Sequence, residues 1–171
     1  MTEKLVNFFV KLFGGNKNSE LGKIAIIAIL SMLPIIELRG GLIAAALLNL
    51  DGLLSFIVCY IFNLLPIPFI LLLIRWIFKQ FKKTKHLGKI VDKMEAKVEK
   101  KKGQIEKYGY WGLFLFVAIP LPGTGAWTGA LIAAMLDMDK KKSFLAITLG
   151  VAGAGIIMMI LSYGLLKGII G

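Results

Sequence analysis

Cysteine, histidine and acidic residues are scarce in this chain of 171 residues. The single cysteine, Cys59, excludes a disulfide within the chain and any metal site built from several cysteines. The sequence offers no paired nucleophile and base, no metal-ligand cluster and no glycine-rich nucleotide loop of standard spacing. We therefore expect neither an enzyme nor a bound cofactor or metal. The N-terminus also lacks the continuous apolar region of a cleavable signal peptide.

Apolar residues, in contrast, are abundant. They make up 57% of the chain, and the mean hydropathy is +0.79, whereas soluble domains contain about 45–50%. This excess predicts an all-α integral membrane protein with one membrane domain over residues 1–171. Residues 4–13 are too short to span a bilayer, and their helical spacing of apolar side chains predicts an interfacial helix.

The positive charge is concentrated in one connection. Residues 79–107 contain eleven lysines and four acids, within a chain of net charge +11. A nucleic-acid-binding face could account for the cluster, but between apolar segments the positive-inside rule accounts for it better. We therefore predict a multi-pass protein of the cell membrane with residues 79–107 in the cytoplasm and no nucleic-acid partner. Apolar residues of this connection recur at helical spacing, which predicts an amphipathic helix against the membrane or a second copy.

Two apolar segments are broken in the middle. Residues 24–36 and 42–50 flank a break with a charged pair, Glu37 and Arg39, and residues 111–119 and 130–138 flank a second, uncharged break. A charge in a membrane segment costs about 2.5–3.5 kcal/mol on insertion scales, so such residues are usually kept for function. Each broken segment forms either one interrupted helix or a re-entrant hairpin. Residues 53–78, with a kink near Pro66, and residues 143–166 are long enough to span fully.

An internal repeat relates the two halves of the chain. A shift of 88 residues places residues 41–51, GLIAAALLNLD, over residues 129–139, GALIAAMLDMD, and the Ser-Phe pair after each aspartate also matches. Broken apolar segments at corresponding positions of two halves are the best sequence indication of a transporter site. We predict two inverted repeats, each a re-entrant helical hairpin plus a transmembrane helix. The first covers about residues 22–78 and the second about 108–171, with the basic connection between them.

The two breaks carry family-specific motifs. LPIIELRGGLIAA and PLPGTGAWTGALIAA resemble those of the small multi-drug export proteins, which are distantly similar to the DedA (SNARE-associated) membrane proteins. The resemblance covers about residues 20–170 and implies two inverted hairpin repeats and membrane transport. DedA proteins are linked to proton-dependent translocation of lipid carriers and use acids and arginines near their hairpins. Glu37 and Arg39 match those roles, whereas the second hairpin lacks the arginines.

The candidate substrate or ion site is the pair of hairpin tips. Helix N-termini and Arg39 favour an anion, glycines permit close backbone approach, and a desolvated Glu37 suits proton carriage. The alternative is a structural ion pair with tightly packed glycines and threonines. The candidate residues are Pro34, Glu37, Arg39, Gly40 and Gly41 in the first hairpin and Pro122, Gly123, Thr124, Gly125, Trp127, Thr128 and Gly129 in the second.

Three functions remain open from the sequence. The first is a transporter that exports small molecules, with proton coupling, through a site at the membrane midplane between the hairpins. The second is a flippase for an anionic lipid or lipid carrier, and the third is a membrane scaffold that transports nothing. The expected partners are the lipid bilayer, a small-molecule or anionic lipid substrate, and protons. A chain with only two full spans has little to shield a charged centre, so we expect at least a homodimer.

Overall fold

The computed structural model describes residues 19–100, 102–121 and 123–165, and every regular element within these ranges is helical. The predicted helix at residues 4–13 lies outside them. The helices are α1 (Glu20–Met32), α2 (Glu37–Leu47), α3 (Gly52–Leu64), α4 (Ile67–Phe81), α5 (Lys85–Glu99), α6 (Lys102–Ala118), α7 (Ala126–Met135) and α8 (Lys140–Met159), followed by a π-helix (Ile160–Leu165).

The helices fall into two compact units. The first contains α1, α2, α3, the last part of α8 and the π-helix, and the second contains α4, α5, α6, α7 and the first part of α8. The boundaries lie at Leu65–Pro66 and at Gly153–Ala154, inside the two long apolar segments. Each unit therefore holds one predicted hairpin and one part of each predicted span.

In the first unit, α1 and α2 form a helical hairpin. Ser19 caps α1 by accepting a hydrogen bond from Gly22 N–H at 3.2 Å, and the chain leaves the helix at Leu33 before Pro34, since a residue before proline avoids helical geometry. The Lys23 ammonium donates to the Leu48 carbonyl at 3.0 Å. Because this bond joins the start of α1 to the end of α2, the two helices run antiparallel.

The second unit contains a corresponding pair, α6 and α7. Asp139 N–H, just after α7, donates to the Tyr110 hydroxyl in α6 at 3.1 Å, so the end of α7 lies beside α6. Within the range of α6 the helix is interrupted at Gly109, whose φ of 58° and ψ of −132° are not helical. The part of α6 that follows this kink therefore begins close to residue 111, where the sequence predicts the first arm of the second hairpin. The re-entrant path of both pairs through a membrane stays a prediction.

The two long segments are confirmed as helices that could cross a membrane by length and composition. Gly52–Phe81 has 30 residues and Lys140–Gly164 has 25. The first is interrupted at Leu65 and Pro66, as the prolines predicted. On α3, the exposed side chains Leu53, Ile57 and Ile61 recur every four residues and form one apolar stripe. Exposed apolar stripes of this kind are expected where a helix faces lipid tails.

The turns that follow α2 and α7 share their local geometry. Asn49 and Asp137, which are 88 residues apart, both adopt left-handed backbone conformations, with φ of 53° and 55°. Two residues later, the Asp51 carboxylate accepts from Leu54 N–H at 2.8 Å, and the Asp139 carboxylate accepts from Lys142 N–H at 2.9 Å. The sequence repeat thus corresponds to a repeated turn and helix cap, whereas the inverted orientation of the repeats stays a prediction.

Helix α5 is amphipathic, as its spacing predicted. Val91 and Val98 are buried, although most of the surrounding side chains are exposed and charged. Part of its apolar face is therefore already covered by the chain's own helices. Only the rest of the helix surface remains for the predicted contact with a membrane or a second copy.

Candidate functional site

The first candidate site is the tip of the α1–α2 hairpin, where Glu37 begins helix α2. Glu37 is only 5% exposed, and its backbone has a φ of 53°, in the left-handed region. The Glu37 N–H donates to the Leu33 carbonyl at 2.9 Å, which closes the turn that contains Pro34. A carboxylate buried in this way requires polar or charged partners, because unpaired buried charge is strongly destabilising.

Arg39 is such a partner. It is half-buried, and its guanidinium lies close enough to the Glu37 carboxylate for an electrostatic interaction. On a regular helix, two side chains that are two residues apart point to different sides. The sequence therefore allows two arrangements. Either the break is extended and the two side chains pair, or it is helical and each side chain has a separate partner. The structure combines a helical Arg39 with a left-handed Glu37 at the helix start, and the two charges still interact.

The two glycines after Arg39 allow close packing. A side chain at Gly41 would overlap the Ser31 hydroxyl and would bring its Cβ within 2.8 Å of the Cys59 sulfur and 3.3 Å of the Ile27 carbonyl. A Cβ at Gly40 would overlap the Ile36 side chain. Gly41 is thus the point where α2 meets both α1 and α3. The glycine pair therefore permits close packing at this hairpin, and its contact with a substrate or ion stays a prediction.

The second candidate site is the loop from Ile119 to Gly125, between α6 and α7. Gly123 and Gly125 have φ of 77° and 134°, conformations that glycine adopts readily. The Thr124 hydroxyl lies 2.8 Å from the Leu121 carbonyl and 2.9 Å from the Ile119 carbonyl, so it donates its proton within the loop. Pro122 lies outside the described residues.

The start of α7 carries the remaining candidates. Trp127 and Thr128 are half-buried, and Gly129 is buried. A Cβ at Gly129 would lie 2.8 Å from the Val117 side chain and 3.3 Å from that of Leu113, so this glycine packs α7 against α6. Gly129 is the repeat counterpart of Gly41, and both positions are where the arms of a hairpin touch.

An apolar groove of about 250 Å³ opens beside the second loop. Only Thr124 among its lining residues was predicted from the sequence. The other lining residues are Tyr108, Gly112, Leu115, Phe116, Ile119 and Leu121. The sequence signal that was available is the aromatic cluster at Tyr108, Tyr110 and Trp111, but the burial pattern of α6 was needed to identify the groove.

Each hairpin gathers its own predicted residues. The first unit holds Pro34, Glu37, Arg39, Gly40 and Gly41, and the second holds the set from Gly123 to Gly129. Sequence reasoning missed Ser31 and Cys59 as neighbours of Gly41. Within the described residues, no group of three or more His, Cys, Asp or Glu side chains is placed to hold a metal ion.

These features define a helical membrane protein with two broken, glycine-rich hairpins, one of which contains a buried carboxylate that interacts with an arginine. A family model described as Putative small multi-drug export protein matches residues 37–157, which is more than two thirds of the chain. The chain belongs to this family, as the two motifs indicated. No curated protein and no solved structure matches the chain.

Proposed function

We propose that the chain is a membrane transporter that exports small molecules and couples export to protons through Glu37. The observation that carries the proposal is a carboxylate only 5% exposed at a helix start in a membrane protein. Ionisable groups within membrane segments typically mark substrate pathways or proton relays. The family's description as multi-drug exporters supports the transport class, and the apolar groove beside Thr124 suits the apolar part of a drug-like substrate.

Glu37 has the chemistry of a coupling group. Burial favours its neutral, protonated form, whereas Arg39 favours its charged form. Binding of a substrate that competes for Arg39 would therefore shift the proton equilibrium of Glu37. The 88-residue repeat, which comes from the sequence, is the argument that both hairpins take part in transport.

The test is transport in proteoliposomes with an imposed pH gradient. Glu37→Gln keeps the shape and removes the titrating group, and we expect it to insert normally but to lose the pH dependence of export. Glu20→Gln is the matched control, because Glu20 is an exposed glutamate in the first turn of α1. Unchanged pH dependence in the Glu37 variant would refute proton coupling through this residue.

Translocation of an anionic lipid is the second candidate function. It is favoured by the half-buried Arg39 in the first turn of α2, where the helix dipole adds positive potential. Arg39→Ala should impair an anionic substrate much more than a lipophilic cation, and Arg39→Lys should restore part of the loss. Equal loss for both substrates would exclude an anion site at Arg39 and leave it as the structural partner of Glu37.

A further inference from the structure

A second cleft, lined by several charged side chains, lies in the second unit and includes no residue of either hairpin loop. It is open to the surface and has a volume of about 290 Å³ at the C-terminal end of α4. Its charged lining residues are Arg75, Lys79 and Lys82 from α4 and its C-cap, and Glu95 from α5. Phe78 and Met135 contribute apolar walls. The three cationic residues occur at i, i+4 and i+7, so the helix presents them on one side.

The charges of this cleft are only partly neutralised. Arg75 pairs with Asp137, and the Lys82 ammonium lies 2.7 Å from the Glu95 carboxylate. The hydrogen bond to Glu95 raises the pKa of Lys82, so that side chain stays protonated at neutral pH. Lys79 forms no hydrogen bond or ion pair among the described residues. Its exposed ammonium is therefore available to an anion.

The helix surface before the cleft is apolar. Leu72, Leu73 and Trp76 are 57%, 46% and 62% exposed, one to two turns before Lys79 on a helix long enough to span a membrane. An exposed tryptophan and cationic residues at the end of a membrane helix are typical of the interface between lipid tails and headgroups. A ligand with a phosphate and acyl chains would use both surfaces, whereas a free phosphate would use only the cleft.

We propose that this cleft binds the phosphate headgroup of an anionic phospholipid, whose acyl chains lie along Leu72, Leu73 and Trp76. Lys79 contacts the phosphate directly, and Arg75 and Lys82 flank it. The volume lies near the lower end of the range of small-ligand pockets, about 300 Å³, which suits a headgroup rather than a whole lipid. The proposal does not depend on the transported substrate, since none of these residues belongs to either hairpin tip.

The test is native mass spectrometry of the full chain in mild detergent, titrated with phosphatidylglycerol and with phosphatidylcholine of the same acyl chains. Loss of one charge-assisted contact should weaken phosphatidylglycerol binding by about tenfold in Lys79→Gln, and Lys79→Glu should weaken it further. Lys83→Gln is the matched control, because Lys83 is exposed near the same helix end and does not line the cleft. We expect this control to bind as the wild type does.

Two further measurements distinguish a lipid site from a site for free phosphate and from general charge attraction. Trp76→Ala should weaken phosphatidylglycerol binding, and inorganic phosphate should compete only at far higher concentration than the lipid. Equal weakening by Lys79→Gln and Lys83→Gln would overturn the proposal in favour of general charge attraction. Competition by inorganic phosphate at the same concentration as the lipid, or equal binding of phosphatidylcholine, would also overturn it.

Discussion

Gly41 is the residue at which three helices of the first unit come closest. A Cβ there would overlap the Ser31 hydroxyl and lie 2.8 Å from the Cys59 sulfur. Gly41→Ala should therefore destabilise the protein by about 1–3 kcal/mol, the usual effect of overpacking. The measurement is the thermal unfolding midpoint of purified protein in detergent.

The control for this prediction is Gly103→Ala. No heavy atom lies within 4 Å of a Cβ at Gly103, which lies in the first turn of α6, so alanine should be neutral or stabilising by less than about 1 kcal/mol. Ser31→Ala in the Gly41→Ala background should recover part of the lost stability, because it removes the overlapping hydroxyl. If Gly41→Ala alone is as stable as the wild type, α2 does not pack closely against α1 and α3 at this position.

The sequence could identify Gly41 and Gly129 as important positions, but it could not identify the side chains against which they pack. The repeat aligned them, and small residues are expected at helix contacts. Their neighbours, Cys59 on α3 and Val117 on α6, depend on how the helices pack, which no local pattern encodes. The same limit applies to Glu37, whose left-handed backbone could not be foreseen because glutamate is uncommon in that conformation.

At the scale of elements, the aspartates after the two turns determine where α3 and α8 begin. Each carboxylate accepts a hydrogen bond from the backbone N–H three residues later. Asp51→Ala and Asp139→Ala should each lower the free energy of unfolding by about 0.5–2 kcal/mol, as expected for loss of an N-cap. Chemical denaturation in detergent would measure this loss.

Asparagine variants separate the cap from the charge. Asn caps helices about as well as Asp, so Asp51→Asn and Asp139→Asn should retain most of the stability. Asp92→Ala, at an exposed position within α5, should have little effect. Equal destabilisation by the asparagine and alanine variants would show that the negative charge, rather than the cap, is what matters.

Most helices were predictable at this scale because apolar runs, prolines and glycines delimit them. Their starts were less predictable. Helices α2 and α7 begin at Glu37 and Ala126, several residues before the predicted apolar pieces at residues 42 and 130. Polar and small residues carry little periodic signal, so the first turn of each helix was assigned to the preceding break. This difference is what places Arg39 within a helix.

For the whole molecule, the decisive prediction concerns topology. The excess of lysine in residues 79–107 and the short basic stretch Lys140–Lys142 both favour the cytoplasm, whereas one full span separates residues 79–107 from Asp51. The sequence therefore predicts the turn after α2 on the outer side and the turn after α7 on the inner side. The inner position of the second turn requires the second broken segment to be re-entrant, and the internal repeat extends this prediction to the first segment.

The single cysteine makes this topology directly testable. In a Cys59→Ser background, Leu47→Cys reports the turn after α2 and Lys141→Cys reports the turn after α7, because both positions are exposed. A membrane-impermeant thiol reagent then labels whichever cysteine lies on the outer side. In intact cells, Leu47→Cys should react and Lys141→Cys should react only after the membrane is permeabilised. Lys83→Cys, in the basic connection, is the inner-side control. Labelling of both turns from the outside would mean that the second broken segment crosses the bilayer once, and the two repeats would then not be inverted hairpins.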